Sequence, residues 1–190
     1  MIATENIELI KGNLLDFPSD IDFIAHSCNT QNIMGGGIAK QIKDRYPMVY
    51  KTDCNAHFEG ENTLGNFGFV WTNGEQSQGV YNMYTQDEIG AKRSVNYEGF
   101  YCALNKVADH IEWQSKHEGE EKVLGLPYGI SCGLAGGSSR IINTIIHDIL
   151  VDRKFKTYIV KYTISDYTKG NLRVILYDND NNYALGTTKS

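Results

Sequence analysis

The fold is decided by the stretch from Ile24 to Lys40, which reads IAHSCNTQNIMGGGIAK. An apolar start, a polar middle and three consecutive glycines are typical of a buried strand, a loop and the first turn of a helix. We predict a strand at residues 22–25 and a helix at 38–46. Gly35, Gly36 and Gly37 lie between them, where glycine lets the backbone approach a ligand and free helical N–H groups attract an anion. The pattern predicts a phosphate-bearing ligand.

The glycine run by itself also fits a tight turn that binds nothing. A dinucleotide-binding fingerprint would need a glycine where Lys40 stands, and the chain contains no Gly-Lys-Ser or Gly-Lys-Thr for a P-loop. These two nucleotide-binding motifs are therefore excluded.

Length and charge narrow the class of protein further. A chain of 190 residues suits one domain. The net charge of −5 argues against strong nucleic-acid binding, which depends on Lys and Arg. The four cysteines show no paired spacing, and no apolar leader or membrane-length apolar run occurs. We expect a cytoplasmic, reducing setting without membrane contact; the oligomeric state is not predicted.

Alternating patterns along the chain predict an α/β protein. Further helices are expected at 48–58, at 96–117 and from Ser138 or Ser139 onward, the first of them separated from its predecessor by Pro47. Further strands are expected at 6–10, 67–72, 79–84, 123–126, 157–163 and 172–177. We predict a single domain at 1–177 with a mixed, mostly parallel sheet, and a loose polar tail at 178–190. Ligands of such folds bind at the carboxyl ends of the strands, where a second glycine-rich loop follows residue 126.

Several motifs together resemble the macrodomain family, in particular its ADP-ribose-1″-phosphate phosphatase type. They occur in the expected order between residues 7 and 177: KGN at 11–13, IAHSCN at 24–29, GGGIA at 35–39, RYP at 45–47, NMYTQ at 82–86 and GLAGG at 133–137. The resemblance implies a three-layer α/β/α sandwich that binds ADP-ribose or its 1″-phosphate without a metal or other cofactor.

The resemblance also implies a set of site residues. Asn13 replaces the family's usual Asp as acceptor from the adenine amino group, and Leu14 offers its backbone N–H to the base. Tyr177 either stacks on adenine or belongs to the edge of the core. Asn29 contacts the distal ribose. Two loops enclose the diphosphate with backbone donors, and their residues are Gly35, Gly36, Gly37 and Ile38 in the first and Ser131, Cys132, Gly133, Leu134, Ala135 and Gly136 in the second.

His26 is the candidate catalytic residue, since phosphatase-type relatives also carry a histidine there. An imidazole could orient water or transfer a proton during phosphate release; alternatively, His26 satisfies a backbone group at a strand end. Cys132 lacks the arginine six residues later that a cysteine phosphatase needs, because position 138 is Ser. We expect Cys132 and Cys28 to be small apolar fillers.

The sequence is compatible with three functions. The chain could remove phosphate from ADP-ribose 1″-phosphate, remove ADP-ribose from protein or nucleic acid, or only bind ADP-ribose. A glycohydrolase branch with a similar loop pattern uses a Lys and an Asp where this chain has Gln86 and Ala135, which places the second function below the first.

Overall fold

The computed structural model describes residues 6–16, 20–56, 63–72, 78–87 and 93–162, together with the backbone of 173–177 and 183–186. In chain order the strands are β1 Ile7–Lys11, β2 Phe23–Asn29, β3 Phe67–Trp71, β4 Gly79–Gln86, β5 Val123–Pro127, β6 Lys156–Lys161, β7 Arg173–Tyr177 and β8 Tyr183–Gly186. The helices are α1 Gly37–Arg45, α2 Pro47–Asn55, α3 Tyr97–Glu118 and α4 Ser139–Leu150, with a short 3-10 helix at Leu14–Asp16.

The described strands form one mixed sheet in the order β3-β4-β2-β5-β6-β1-β7-β8. The five central strands β4, β2, β5, β6 and β1 run parallel to one another. β3, β7 and β8 extend the sheet in antiparallel pairings. The carboxyl ends of the parallel strands therefore meet at one edge of the sheet, as the sequence predicts.

Helices cover both faces of this sheet, which makes a three-layer sandwich with two apolar cores. One core joins the sheet to α3 and α4 and contains Phe23, Phe100 and Ile146. The other joins the sheet to α1 and α2 and contains Ile24, Ile42 and Val49. Because successive strand residues point to opposite faces, β2 contributes alternate side chains to the two cores.

Local sequence explains where the helices begin and end. Pro47 occupies the first turn of α2 and separates it from α1, since proline suits a first helical turn but not an interior. The side chain of Asn96 accepts from the N–H of Gly99 and caps the start of α3, and Gly119, with a φ of 71°, follows its last residue and terminates it. The predicted Ser138 position does precede α4, but its hydroxyl makes no cap bond.

The structure corrects several boundaries. β2 continues through the polar residues 26–29, because pairing with β4 extends to Asn29. Tyr101 in α3 and Ile141 in α4 are exposed, although both helices pack an apolar face against the sheet. Within the segment predicted as a loose tail, Tyr183–Gly186 pairs with β7. Residues 57 and 58 of the predicted second helix lie outside the described part.

No helix among the described residues is long and apolar enough to cross a membrane.

Candidate functional site

A cleft of about 550 Å³ opens at the carboxyl edge of the parallel strands. This volume is within the usual range for a small-molecule site. One wall is the loop after β2, residues 30–36, with the start of α1. The opposite wall is the loop after β5, residues 128–138. We call these the first loop and the second loop.

The side chain of Asn29 holds the first loop in place. Its Oδ1 accepts from the N–H of Gln31 and of Ile33, each at 3.1 Å, and its Nδ2 donates to the Ile33 carbonyl at 2.7 Å. One N–H of the amide remains for a ligand. Asn29 lines the cleft, as predicted, but most of its hydrogen-bonding capacity supports the loop.

The glycines of the first loop have different roles. Gly37 adopts a φ of 58°, the left-handed region that favours glycine. Gly36 is extended, with a φ of −153°, so its backbone would accept any residue. A Cβ at Gly36, however, would lie 2.8 Å from Cδ1 of Leu134 in the second loop. The two loops therefore meet above the cleft at Gly36 and Leu134.

The second loop contains one strained residue. Ser131 has a φ of 59°, which is uncommon for a residue with a side chain. Its carbonyl accepts from the N–H of Gly137 at 2.9 Å, and a Cβ at Gly137 would lie only 2.5 Å from that carbonyl oxygen. The close approach of Gly137 fixes the unusual conformation of Ser131.

Both loops offer backbone N–H groups to the cleft. The N–H groups of the first turn of α1 have no partner within the helix. Within the described part of the chain, no acceptor contacts the N–H groups of Gly133, Leu134 or Ala135. Backbone donors without a protein acceptor, on loops that line both walls of the cleft, are suited to binding an anion.

Two hydroxyl groups meet on the floor of the cleft. Oγ of Ser27 in β2 lies 2.6 Å from Oγ of Ser131, and both residues line the cleft. Ser27 shares its strand face with Asn29, two positions further along β2.

The far end of the cleft, over β4, is polar and uncharged. The hydroxyl of Ser94 donates to Oε1 of Gln86 at 3.2 Å, and its N–H donates to the carbonyl of Ala135 at 3.0 Å. Gln86 and Ala135, the positions compared above with a glycohydrolase Lys and Asp, both line the cleft. The described lining includes no Asp, Glu, His, Lys or Arg.

The predicted adenine contacts lie after β1, outside the lining of the cleft. Oδ1 of Asn13 accepts from the N–H of Leu15 at 3.1 Å, so it already shapes this turn, although an amide oxygen can accept a second bond. The Leu14 N–H has no acceptor among the described residues. Nothing is described of the Tyr177 side chain.

The prediction that His26 acts at the cleft is corrected by its position. His26 is fully buried and shares a strand face with Cys28, whose Sγ lies 3.7 Å from the ring; this face packs against α1 and α2. Its Nε2 lies 2.7 Å from Oδ1 of Asn82. Burial lowers the pKa of His26 to about 4, despite the opposing bond to Asn82. The imidazole is therefore neutral at pH 7 and points away from the cleft.

Cys28 and Cys132 pack into the two cores, whereas Cys54 and Cys102 are exposed. Cys28 is buried in the core under α1 and α2, where burial raises the pKa of its thiol. Cys132 packs against the other core, its Sγ 3.3 Å from the carbonyl of Ile130, and burial raises the pKa of its thiol as well. No cluster of three metal-ligating side chains occurs among the described residues.

The cleft brings together most of the predicted loop residues but not all of them. Lining it are Asn29, Gly35, Gly36, Gly37, Ile38, Ser131, Gly133, Leu134 and Ala135. Absent from the described lining are Asn13, Leu14, His26, Cys132 and Gly136. Sequence reasoning missed Ser27, Ile33, Ser94 and Tyr128, which also line it. Period-two alternation from Asn29 could have identified Ser27.

Solved structures define the class of protein. A macrodomain protein from Streptomyces coelicolor matches with a TM-score of 0.60 and 27% identity, over 83% of this chain and 98% of that one. Thermosipho africanus DarTG, solved in complex with ADP-ribose, matches with a TM-score of 0.66 and 21% identity, over 86% of this chain and 43% of that one. The chain has the macrodomain fold, and the resemblance identified from the sequence is confirmed.

One relative carries the name of a specific activity, but the similarity to it extends over a short part of the chain. The chain is 41% identical over 63 residues to an ADP-ribose 1″-phosphate phosphatase from Saccharomyces cerevisiae strain YJM789. The match covers 32% of this chain and 34% of that relative. No protein-family model matches the chain.

Proposed function

We propose that the chain binds ADP-ribose 1″-phosphate in this cleft and converts it to ADP-ribose and phosphate. The observation that carries the proposal is the pair of loops with unpaired backbone N–H groups on both sides of the cleft. Such donors suit a diphosphate, whose charge they can hold without a basic side chain. The similarity to a phosphatase of this substrate supports the same assignment.

The described lining of the cleft contains no acidic or basic side chain, so the proposed reaction uses no such group to transfer a proton. In ADP-ribose 1″-phosphate the phosphate is attached to an anomeric carbon, so the C–O bond can break while the ring oxygen stabilises the positive charge on carbon. The phosphate leaves with the electron pair, water adds its oxygen to the carbon, and the phosphate takes up the released proton. Binding and orientation by the two loops then supply the rate enhancement.

The position of the bond that breaks can be tested directly. The protein should release phosphate from ADP-ribose 1″-phosphate in ¹⁸O-labelled water, and mass spectrometry should find no label in the phosphate. Label in the phosphate would show attack at phosphorus and overturn this chemistry. ADP-ribosylated protein, incubated in parallel, should release less ADP-ribose than the phosphate ester releases phosphate.

A second function, binding without turnover, is favoured by one observation. The described residues that line the cleft include no carboxylate, imidazole or ammonium group. If ADP-ribose binds in calorimetry but neither substrate is converted, the chain is an ADP-ribose reader. A glycohydrolase of the Lys and Asp type is disfavoured, because Gln86 and Ala135 supply neither a nucleophile nor an acid.

A further inference from the structure

We propose that Ser27 and Ser131 form the subsite that selects the terminal phosphate of the ligand, an inference that rests on the function proposed above. The two hydroxyl oxygens lie 2.6 Å apart on the floor of the cleft. In this arrangement one hydroxyl donates to the other, and rotation of both would turn two donors toward a single anion.

The order of the strands places this pair away from the adenine end of the ligand. Asn13, the proposed adenine contact, follows β1, and β6 and β5 lie between β1 and β2. With a spacing of about 4.8 Å between neighbouring strands, Ser27 lies about 14 Å from β1 across the sheet. A ligand that begins over β1 and passes between the loops thus ends over β2 and β4, where Ser27, Asn29 and Gln86 lie.

Both hydroxyls are held in place before any ligand binds. Ser27 pairs with Met83 of β4 in the sheet, and β2 is also paired with β5 at Phe23 and Ile24. Ser131 is fixed in its left-handed conformation by the bond from Gly137. Groups that are fixed in advance lose little entropy when they bind, which favours affinity for the group that they contact.

The pair is suited to binding an anion rather than to nucleophilic attack. A serine nucleophile needs a base within hydrogen-bonding reach. Ser131 is the only hydrogen-bond partner of the Ser27 hydroxyl among the described side chains, and His26 points to the opposite face of β2. Neutral donors can instead bind a phosphate through hydrogen bonds that are strengthened by its charge.

Two substitutions remove the hydroxyls with little change of shape. Ser27→Ala preserves the strand, and Ser131→Gly suits the left-handed backbone better than Ser does. Thr144→Ala is the matched control, since it removes an exposed hydroxyl of α4 that bonds only to Arg140. Thermal unfolding of all three variants verifies that each one folds.

Affinity is measured with two ligands that differ only in the terminal phosphate. ADP-ribose is titrated by calorimetry; the 1″-phosphate is titrated in the same way if it is stable, and otherwise its KM and kcat are measured. Ser27→Ala and Ser131→Gly should each weaken the 1″-phosphate, or raise its KM, about tenfold or more, the usual effect of losing a hydrogen bond to a charged group. ADP-ribose affinity should fall by a smaller factor than affinity for the 1″-phosphate in both variants, and Thr144→Ala should change neither.

The outcomes separate the subsite from the function on which it rests. Equal losses for both ligands would assign the hydroxyls to the diphosphate and overturn the proposal, as would unchanged affinity for the 1″-phosphate. If the unmodified protein binds neither ligand, the proposed function fails and the subsite fails with it. If the unmodified protein binds the 1″-phosphate without converting it, a selective loss in both variants still supports the subsite.

Discussion

Nε2 of His26 lies 2.7 Å from Oδ1 of Asn82, and the two residues are direct partners in the paired register of β2 and β4. Asn82 in turn donates through Nδ2 to the carbonyl of Val49 in α2, at 3.1 Å. This chain of two hydrogen bonds connects the centre of the sheet to the helix layer above it. His26 therefore supports the fold rather than the chemistry of the cleft.

The first prediction concerns the effect of pH on stability. The unfolded chain takes up a proton on His26 as pH falls below about 6.5, whereas the folded chain resists protonation until about pH 4. The free energy of unfolding should therefore fall as pH is lowered through this window, by about 3 kcal/mol from this group. Urea unfolding between pH 4 and 7 measures it.

The comparison variant for this prediction is His26→Gln, which keeps an amide donor toward Asn82 and does not titrate. The free energy of unfolding of His26→Gln should depend less steeply on pH than that of the unmodified protein. The difference in slope corresponds to the uptake of up to about one proton on unfolding. His117→Gln, on an exposed side chain, controls for the loss of any histidine. Parallel pH curves for His26→Gln and the unmodified protein would contradict the assignment.

The second prediction concerns the contact between the two loops. Gly36→Ala should change ADP-ribose binding little, because the exposed end of the Leu134 side chain can move away from the new Cβ, and adding Leu134→Ala should remove any remaining loss. Gly36→Glu should abolish binding even with Leu134→Ala, since its carboxylate would repel the diphosphate. Calorimetry measures the affinity of the four variants for ADP-ribose. Unchanged affinity in Gly36→Glu would show that the first loop does not bind the diphosphate.

The third prediction concerns recognition of adenine by Asn13. Asn13→Ala should weaken ADP-ribose by about 1 kcal/mol, the usual value of one neutral hydrogen bond. Asn13→Asp should preserve the acceptor for the Leu15 N–H and strengthen the bond to the adenine amino group. The inosine analogue, which lacks that amino group, is the control ligand. Equal changes for both ligands would mean that Asn13 only shapes the turn.

The fourth prediction concerns Cys132. Burial raises the pKa of its thiol, so little thiolate is present at pH 7 to act as a nucleophile. Cys132→Ser should retain both ADP-ribose binding and phosphate release, because a hydroxyl can also donate to the carbonyl of Ile130. Loss of phosphate release with binding intact would restore a cysteine mechanism.

The glycine loops and the sheet were predictable because their patterns are local. Three glycines before a helical period and short apolar runs identify strand, loop and helix without knowledge of the fold. The direction of the His26 side chain was not predictable in this way. The predicted strand ends at residue 25. The alternation of side chains that separates His26 from Ser27 lies beyond that end, so the sequence pattern does not assign the two residues to opposite faces.

Asn29 illustrates a second limit of sequence reasoning. Its place in the motif indicates a contact with the ligand, but three of its hydrogen bonds go to its own loop. The sequence position alone does not distinguish a side chain that organises a loop from one that binds a ligand, because the two roles differ only in geometry. The same holds for Asn13, whose acceptor already supports a turn.

The alternation of β2 has a practical consequence for engineering the protein. Positions 26 and 28 face the core under α1 and α2, whereas Ser27 and Asn29 face the cleft. A combinatorial library at 27 would therefore diversify ligand preference at little cost to thermal tolerance, whereas changes at 29 would also release the first loop. A library at 26 and 28 would sample thermal tolerance while leaving the ligand-facing surface unchanged, so the two properties can be evolved separately within three consecutive residues.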